Sequence, residues 1–468
     1  MTSPWKDDMT DHQADRSQKD DAEPNCPLAY SPALMTDMYE YTMLDAALQD
    51  GTANRRSVFE VYTRHLPEGR RYGVVAGTGR LLDALEHFRL GEDDLRFLYD
   101  NRIVSPNTVR WLEGFRFHGT IRGYREGEIY FPDSPVLQVE GVFAECTLLE
   151  TLILSILNYD SAVAAAASRM STAAKGRPCM DMGGRRTNEW AAVAAARASV
   201  VGGFSGTANL LAAKTYGLKP IGTSAHCFTL LHDSERDAFQ GQIDALGRST
   251  TLLVDTYNIE EAVKTAVEVA GPELGCVRID SGDLAEMAQR VRGELDALGA
   301  TQTKITVTND LDEYALAGLQ AAPVDSYGVG TKLVTGSGAP TCAMVYKMTE
   351  REGNNGEMVP VGKRSKDKAS LPGRKLAYRS YEYNLANGEH VVSGSNERLE
   401  SFHTPDDMDT ENLLVDYMVE GQADTRYQGH DAIMTARAHR AAQLSRLPIA
   451  AQSLMKGDPA IPTQIQVL

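Results

Sequence analysis

Residues 276–310 have the sequence CVRIDSGDLAEMAQRVRGELDALGATQTKITVTND, which is the clearest indication of the fold class. It begins with a short apolar run, CVRID, continues into an amphipathic segment, and ends with a second apolar run, KITVT. The apolar residues of the middle segment recur at helical spacing, and Gly299 is a typical helix stop. They are Leu284, Met287, Ala288, Val291, Leu295 and Leu298. The pattern predicts a strand, a helix and a second strand, with one helix face packed on a sheet.

The same rhythm extends outward in both directions along the chain. Short apolar runs that resemble strands begin at Leu218 (LKPIG), Thr251 (TLLVD), Cys276, Lys304 and Val324 (VDSYG), so their starts are 33, 25, 28 and 20 residues apart. Helical stretches separate them. Alternation of strands and helices at this spacing is typical of parallel βα units.

The flanking regions have a different pattern. Before residue 146 a helical stretch from Ala33 to Leu48 is followed by strand-like runs such as SVFEVYTRHL and EIYFPDSPVLQVEG. Two alanine-rich segments, TLLETLILSILNYDSAVAAAASRM and EWAAVAAARASV, predict closely packed helices. Beyond Met344 we expect a strand at LAYRS and a last amphipathic helix near Ala432 to Leu447.

We therefore predict an α/β protein, with an irregular TIM-like parallel βα barrel domain and an α+β accessory domain built from N- and C-terminal segments. The predicted boundaries are 27–145 for the N-terminal α+β domain, joined by 350–395, and 146–349 for the barrel. Residues 396–468 are predicted as a C-terminal helical extension. Residues 1–26 are predicted as a disordered acidic tail, because residues 1–25 carry seven acids against three bases and few apolar residues.

Composition excludes several classes of function. The 468 residues contain 47 Lys and Arg against 64 Asp and Glu, so the formal net charge is −17, which disfavours nucleic acid or an anionic membrane as the main partner. We find no uncharged apolar stretch of membrane-spanning length and no apolar secretion signal, and we predict a cytoplasmic protein. The six cysteines form no CxxC pair, so buried thiols in a reducing compartment are expected.

Polar residues collect where the predicted parallel strands end. In parallel α/β architectures the carboxyl ends of strands meet at one edge of the sheet, which is where binding sites form. Five consecutive polar ends therefore predict one shared site. The residues at these ends are His226 in GTSAH, Asp255, then Arg278, Asp280, Ser281 and Asp283, then Asn309 and Asp310, and lastly Gly328, Gly330 and Thr331.

Two of these strand ends indicate the kind of ligand. RIDSGD combines an arginine with two acids, which suits a phosphosugar chelated by Mg²⁺, although an N-capped helix with a surface ion pair gives the same pattern. YGVGTKLVTGSG can surround a phosphate with backbone N–H groups, or it is an ordinary turn. GxGxxG and GxxxxGK[ST] are incomplete, and HExxH and GxSxG do not occur, which disfavours dinucleotide, P-loop, zinc-protease and serine-elbow chemistry.

The chain from Pro27 onward resembles nicotinate phosphoribosyltransferase, of the barrel-containing type II phosphoribosyltransferases. Ten motifs carry the resemblance in family order: ALMTDMYEYTM, FEVYTRHLPEGRRYGVVAG, VEGVFAECTLLETLILSILNY, DMGGRR, GGFSGTANLLAAKTYG, GTSAH, RIDSGDL, NDLDEY, YGVGTKL and LPGRK. The resemblance implies a reaction that joins nicotinate to 5-phosphoribosyl-1-pyrophosphate, giving nicotinate mononucleotide and pyrophosphate. It also implies coupling to ATP hydrolysis and a place in NAD salvage.

The resemblance implies a role for individual residues. His226 matches the histidine that the family phosphorylates from ATP, and Arg185 and Arg186 match the region that holds the pyridine ring and its carboxylate. Asp280 and Asp283 are expected to take part in catalysis and to hold Mg²⁺, directly or through water. The other expected substrate contacts are Met182, Ser205, Thr207, Asp255, Arg278, Ser281, Asn309, Asp310, Gly328, Gly330 and Thr331.

The resemblance also implies a homodimer in which Tyr39 stacks on the base across the interface. As single residues, a core tyrosine, a core histidine and a surface pair of arginines are the ordinary alternatives to these roles. The basic residues of KRSKDK and LPGRK are further candidates for phosphate contacts.

Two departures from the family pattern bear on the base. Met182 stands where many relatives have Phe, so a thioether replaces a ring against the base. Ala208 stands where the nicotinamide-using relatives have an acid, and its presence favours nicotinate, because an acid would repel the carboxylate of the substrate.

Other functions remain open at this point. The nearest is a phosphoribosyltransferase specific for nicotinamide. The second is a phosphosugar isomerase or lyase that uses Asp280 or Asp283 as acid or base. The third is a non-catalytic ligand sensor on the same scaffold.

Overall fold

The computed structural model describes residues 31–365 and 369–468. The predicted acidic tail and Cys26 therefore lie outside the described residues, as do three residues of the KRSKDK segment. The α-helices are α1 (Met38–Asp50), α2 (Thr78–Glu86), α3 (Glu92–Asp100), α4 (Pro106–Leu112), α5 (Phe143–Thr147), α6 (Glu150–Ala173), α7 (Glu189–Val201), α8 (Leu210–Tyr216), α9 (His226–Leu231), α10 (Glu235–Leu246), α11 (Ile259–Ala270), α12 (Leu284–Ala297), α13 (Glu313–Gly318), α14 (Thr331–Val334), α15 (Asn396–Glu400) and α16 (Gly429–Ser445).

The strands follow in the same order along the chain. They are β1 (Arg56–Tyr62), β2 (Gly73–Val74), β3 (Thr120–Tyr124), β4 (Ile129–Tyr130), β5 (Leu137–Val142), β6 (Cys179–Asp181), β7 (Thr251–Leu253), β8 (Cys276–Ile279), β9 (Lys304–Val307), β10 (Ser326–Val329), β11 (Val345–Glu352), β12 (Met358–Pro360), β13 (Arg374–Glu382), β14 (Leu385–Gly394), β15 (Asp409–Asn412), β16 (Leu414–Val419), β17 (Gln422–Ala423) and β18 (Thr463–Val467).

A five-stranded parallel sheet confirms the predicted βα units. Its order is β6-β10-β9-β8-β7, and every neighbouring pair is parallel. Helices α10, α11, α12 and α13 lie between successive strands in the chain, and Ala288, Val291 and Leu295 bury the sheet-facing side of α12. The apolar helix face predicted from residues 276–310 is therefore the face of α12 that packs on the sheet.

The prediction that LKPIG, which begins at Leu218, forms the first strand is wrong. Only a single-residue bridge, Thr207 to Pro220, continues the parallel pairing there, after a bridge from Asp181 to Thr207. Proline has no N–H to donate, which keeps this stretch from forming a ladder. The sequence pattern missed β6, whose three residues are too few to show a period.

The accessory domain combines both ends of the chain, as predicted. Its seven-stranded antiparallel sheet has the order β12-β11-β1-β5-β3-β16-β17, so β11, β12, β16 and β17 complete a sheet begun by N-terminal strands. A separate four-stranded sheet has the strand order β15-β13-β14-β18. Residues 396–468, predicted as helical, thus contain β15 to β18 as well as α15 and α16. Short edge strands such as β15, with the sequence DTEN, show no apolar alternation.

Helix α6 connects the two cores. Its first half, including Leu152 and Ile156, packs in the core of the accessory domain, and residues from Val163 to Met170 pack in the core of the parallel sheet. A Cβ on Gly202 would lie 2.4 Å from Ala167 Cβ, so small residues set the close approach between α6 and the end of α7. Within the described chain, α6 alone has the length and composition of a membrane-spanning helix, and most of its apolar window is buried.

Candidate active site

A cavity of about 140 Å³ opens at the carboxyl ends of the parallel strands. Residues near the ends of β8 and β10, or just after β6, β8, β9 and β10, line it together, which is the arrangement predicted from the polar strand ends. Its walls are formed by Met182, Arg185, Arg186, Arg278, Asp280, Thr308, Asn309, Asp310, Gly328, Gly330 and Thr331. All of these except Thr308 are residues that the sequence predicted.

His226 lies beside this cavity as the first residue of α9. Its side chain is 40% exposed, and Nε2 lies 3.9 Å from Asp255 Oδ1 and 3.9 Å from Asp280 Oδ2. The other ring nitrogen, Nδ1, is 3.1 Å from Thr256 Oγ1. One nitrogen of the imidazole is therefore held by a hydroxyl while the other faces two carboxylates.

Hydrogen bonds from the protein reach one oxygen of each of these carboxylates. Asp255 Oδ2 accepts hydrogen bonds from the Asp280 N–H (2.8 Å) and from Ser281 Oγ (2.6 Å). Asp280 Oδ1 accepts one from Thr308 Oγ1. Asp255 Oδ1 is buried and has no hydrogen-bond partner among the described residues. The oxygens that face His226 are thus the ones that internal contacts leave available to a ligand.

Three arginines, Arg185, Arg186 and Arg278, also line the cavity. Arg278 Nη1 donates to Thr223 Oγ1, and its Nε is buried without a partner within the described residues. Burial lowers the pKa of Arg278, and the charge of nearby Arg185 lowers it further against the opposing effect of Asp280 and Asp255. Two guanidinium groups held this close favour an anion between them.

Asp181 positions the arginine-bearing turn. Its Oδ1 accepts from the Gly183 N–H (2.8 Å), its Oδ2 accepts from Thr207 Oγ1 (2.7 Å), and the side chain is buried. Burial raises the pKa of Asp181, although these bonds oppose the rise. Arg185 and Arg186 follow on the 3₁₀ turn Gly184–Arg186.

Backbone conformation also marks the site. Asn309 and Asp310, which follow β9, have φ angles of 100° and 43°, a left-handed region that non-glycine residues rarely adopt. At Gly328 a Cβ would lie 2.6 Å from both Met182 Sδ and Thr308 Cγ2. The strain at Asn309 and Asp310 is a cost that persists only where the surrounding structure fixes it, and the close packing at Gly328 is possible because glycine has no side chain.

Seven predicted site residues do not line the cavity. Three of them, His226, Asp255 and Ser281, belong to the group of contacts around Asp280 described above, and the other four have different surroundings. Ser205 Oγ donates to the Cys179 carbonyl (3.0 Å), and Thr207 holds Asp181. Asp283 caps α12, with Oδ1 accepting from the Ala285 and Glu286 N–H groups at 3.1 Å each. The structure therefore gives these three side chains the ordinary structural contacts, and their substrate or metal roles stay predictions.

Tyr39 is the fourth. It lies on α1, with 42% of its surface exposed, and burial of the remainder together with Glu150 and Glu40 raises the pKa of its hydroxyl to about 12. Within one chain it does not reach the cavity. Its predicted contact across a dimer interface stays a prediction.

The basic segment near residue 370 and one cysteine also differ from expectation. Lys375 is buried and lies 3.2 Å from Glu60, and Arg374 lies 2.6 Å from Glu140, so both form ion pairs in the accessory domain. Cys227, expected to be buried, is exposed beside His226.

Sequence reasoning missed three threonines that hold the charged residues. Thr223, Thr256 and Thr308 contact Arg278, His226 and Asp280, respectively. Each follows or ends a strand-like run: Thr256 and Thr308 are next to the predicted Asp255 and Asn309, and Thr223 lies three positions before His226. Their position at strand ends was the available signal, but a hydroxyl carries no charge pattern to single it out.

The chain is similar to known proteins over nearly its whole length. Residues 34–158 match the nicotinate phosphoribosyltransferase (NAPRTase) N-terminal domain, and residues 178–375 match the nicotinate phosphoribosyltransferase (NAPRTase) family. Nicotinate phosphoribosyltransferase pncB1 of Mycobacterium tuberculosis (strain CDC 1551 / Oshkosh) is 51% identical over 442 residues, which cover 92% of this chain and 94% of that protein. Nicotinate phosphoribosyltransferase of Bacillus subtilis (strain 168) is 33% identical over 360 residues, or 75% of this chain and 73% of that protein.

Solved structures share the fold. The crystal structure of human nicotinic acid phosphoribosyltransferase superimposes with a TM-score of 0.78 and 24% identity, covering 92% of this chain and 97% of that one. The nicotinate-nucleotide pyrophosphorylase of Pyrococcus furiosus gives a TM-score of 0.70 and 25% identity, covering 88% of this chain and 95% of that one. The similarity includes both the accessory sheet and the parallel sheet.

Proposed function

The chain belongs to the nicotinate phosphoribosyltransferase family, and on that premise we propose that it joins nicotinate to 5-phosphoribosyl-1-pyrophosphate. The products are nicotinate mononucleotide and pyrophosphate. One observation carries the proposal: a single cavity holds Arg185, Arg186 and Arg278 together with Asp280 and a glycine-rich loop. Cationic, acidic and backbone N–H groups are what an anionic phosphosugar and an anionic base require together.

The phosphoribosyl donor fits the β8, β9 and β10 side of the cavity. Gly328, Gly330 and Thr331 surround the 5′-phosphate, because backbone N–H groups of a glycine loop converge on an anion. Asp255 and Asp280 accept hydrogen bonds from the ribose hydroxyls, and Arg278 neutralises phosphate charge.

Nicotinate fits the β6 side. Arg185 lies against the pyridine ring, and Arg186 adds charge for the carboxylate. Met182 Sδ supplies a polarizable contact to the ring. Ala208 is exposed and adds no negative charge, which favours nicotinate over nicotinamide.

The reaction needs positioning more than proton transfer. The unprotonated pyridine nitrogen is already a nucleophile, so no general base is required at this atom. As pyrophosphate leaves ribose C1, positive charge develops on the sugar, and the Asp255 and Asp280 carboxylates stabilise it. Holding the ring nitrogen in line with C1 is the main contribution of the protein.

The site also fits magnesium. Asp255 Oδ1 is buried and has no partner in the described part of the chain, and Asp280 Oδ2 is turned toward the same space, so these two oxygens would hold the ion directly or through water. Among the residues described, His, Cys, Asp and Glu nowhere form a cluster of three arranged as a metal site. That suits Mg²⁺, which completes its shell with waters and substrate phosphates. Bound there, Mg²⁺ would neutralise charge on the departing pyrophosphate.

ATP enters the scheme through His226. In one tautomer of His226, Nδ1 carries the proton and donates a hydrogen bond to Thr256 Oγ1. The Nε2 lone pair then attacks the γ-phosphorus of ATP, and ADP leaves. The phosphohistidine is later hydrolysed to histidine and inorganic phosphate, so ATP hydrolysis is coupled to nucleotide synthesis. We further propose that the enzyme acts in the cytoplasm as a homodimer, at the nicotinate step of NAD salvage.

Product analysis tests this function. The protein is mixed with Mg²⁺, 5-phosphoribosyl-1-pyrophosphate and nicotinate, with and without ATP, and the nucleotide and pyrophosphate are measured by chromatography. We expect nicotinate mononucleotide and pyrophosphate in equal amounts, and ATP-dependent stimulation. A parallel reaction with nicotinamide separates the two base specificities. Sugar-phosphate isomerisation without pyrophosphate release would contradict the assignment.

A further inference from the structure

A buried cluster of three charged residues lies next to the loops of the cavity without lining it. Glu313 Oε1 accepts hydrogen bonds from Arg70 Nη1 (3.0 Å) and from Arg169 Nε (3.1 Å). The side chains of these three residues are at most 5% exposed. Burying such charges is costly unless each is fully paired, so this geometry is strongly constrained.

Glu313 comes soon after one wall of the cavity in the chain. It is the first residue of α13, three residues after Asp310, and the cap residue Asp312 accepts from the Tyr314 and Ala315 N–H groups. The strained pair Asn309 and Asp310 therefore lies just before the start of α13, and a buried ion pair holds that start in place. The conformation of that wall depends on where Glu313 is held.

The second wall is held by the same cluster. The glycine-rich loop runs from Gly328 through α14 to the 3₁₀ turn Gly336–Gly338. Arg70 Nη2 donates to the Gly336 carbonyl (2.7 Å), and Ser337 Oγ donates to Glu313 Oε2 (2.6 Å). Ser337 has a φ of 54°, so the loop takes a left-handed conformation where it meets Glu313.

These contacts join four parts of the molecule at one carboxylate. Arg70 comes from the accessory domain, Arg169 from α6, Glu313 from the exit of β9 and Ser337 from the exit of β10. Burial would raise the pKa of Glu313, but the Ser337 hydroxyl and the two arginines lower it, so the carboxylate stays ionised at neutral pH.

We propose that Arg70, Glu313 and Ser337 are positioning residues for the phosphoribosyl site, setting the distance between the Asn309–Asp310 wall and the Gly330–Thr331 wall. The proposal rests on the proposed function for its substrate. The planar fork of Arg70 is essential to it, because two separate guanidinium nitrogens bond Glu313 and Gly336, whereas a lysine presents a single nitrogen at one point.

Three variants test the proposal with one matched control. Glu313→Gln removes the charge, Ser337→Ala removes one bond between the walls, and Arg70→Lys keeps the charge but loses the fork. Glu389→Gln is the control, because Glu389 is also buried and also accepts from an arginine, Arg379, and a serine, Ser134, but in the four-stranded sheet away from both loops.

Two measurements separate positioning from stability. Steady-state kinetics of the full-length protein should show KM for 5-phosphoribosyl-1-pyrophosphate raised about 3- to 30-fold in the three variants, with kcat changed less. Hydrogen exchange should speed up at residues 309–312 and 330–338 in Ser337→Ala. In Glu389→Gln we expect a lower Tm, with KM and exchange at both loops unchanged.

The outcomes are distinguishable. Folded Ser337→Ala and Arg70→Lys proteins with wild-type KM and wild-type loop exchange would overturn the proposal, even if Glu313→Gln fails to fold. An equal rise of KM in Glu389→Gln would also overturn it, since the effect would then follow stability. A wild-type protein that makes no nicotinate mononucleotide would refute the proposed function, while loop exchange still reports on the coupling.

Discussion

At the scale of single residues, His226 has the most informative surroundings. Its Nε2 faces two carboxylate oxygens at 3.9 Å, and neither of these distances is a hydrogen bond, so space remains between the groups. A core histidine would instead bond both ring nitrogens to protein groups. The geometry suits an imidazole that acts on a ligand.

We expect His226→Ala to abolish stimulation by ATP and labelling by [γ-³²P]ATP, because no nucleophilic nitrogen remains. Basal transfer should stay within about tenfold of wild type, since the cavity itself is intact. His232→Ala is the matched control, because His232 ends the same helix but bonds the Phe228 carbonyl. Labelled phosphate retained on the His226→Ala protein would contradict the phosphohistidine assignment.

Gly328 gives a steric prediction at the same scale. A methyl group there would lie 2.6 Å from Met182 Sδ and from Thr308 Cγ2, and the neighbouring cavity residues would have to move. We expect Gly328→Ala to lower kcat/KM by about 10- to 100-fold, because displacements near 1 Å misalign reacting atoms. Gly293→Ala, in α12 with nothing within 4 Å of the added carbon, should leave activity unchanged. Equal activity of both variants would contradict the tight packing at Gly328.

At the scale of secondary-structure elements, a buried ion cluster fastens β13 and α16 to the strand that begins at Ile129. Arg379 donates to Glu128 (2.6 Å), and His439 Nε2 lies 2.6 Å from the other Glu128 oxygen. Burial alone would raise the pKa of Glu128, but Arg379 and His439 lower it to about 2. These contacts hold C-terminal elements on the accessory domain.

The sign of the pH dependence follows from that shift. A carboxyl group with a lowered folded-state pKa stabilises the protein above its unfolded pKa, here 4.5, and the stabilisation is lost as the pH falls toward 2. We expect Glu128→Gln to lower the free energy of unfolding by about 3–5 kcal/mol at pH 7. The difference from wild type should shrink below pH 4.5, as measured by urea unfolding at several pH values. A difference that does not change with pH would exclude the charge as its cause.

At the scale of the whole molecule, apolar residues are exposed around α1. Met35, Met38, Tyr39 and Met43 are between 38% and 61% exposed. Exposed apolar patches on a folded chain are typical of interfaces. Tyr39 also does not reach the cavity of its own chain, so the predicted stacking on the base requires a second subunit.

Subunit mixing tests that dimer. Tyr39→Ala and His226→Ala are each expected to lack efficient ATP-stimulated transfer. When they are unfolded together and refolded as a mixture, mixed dimers should contain one site with both residues, and ATP-stimulated activity should reappear. Light scattering should give the mass of two chains. A monomeric mass, or no recovery in the mixture, would contradict a shared site.

Local sequence patterns were sufficient to predict the parallel βα units, the polar strand ends and the family. Strand and helix periods, together with charged residues at strand ends such as Asp280 and Asn309, are local patterns that a chain displays before it folds. The predicted grouping around one cavity followed from them, because parallel strands end at the same edge of a sheet.

Which side chains remain free for a ligand depends on contacts that form only when the chain folds. Asp255 and Asp283 look alike in sequence, yet Asp283 caps a helix, while Asp255 keeps a buried oxygen that no other described residue hydrogen-bonds. The Arg70–Glu313 contact joins residues 243 positions apart, and β16 pairs with β3 across nearly three hundred residues. Such contacts arise from packing between distant segments, which no local period encodes.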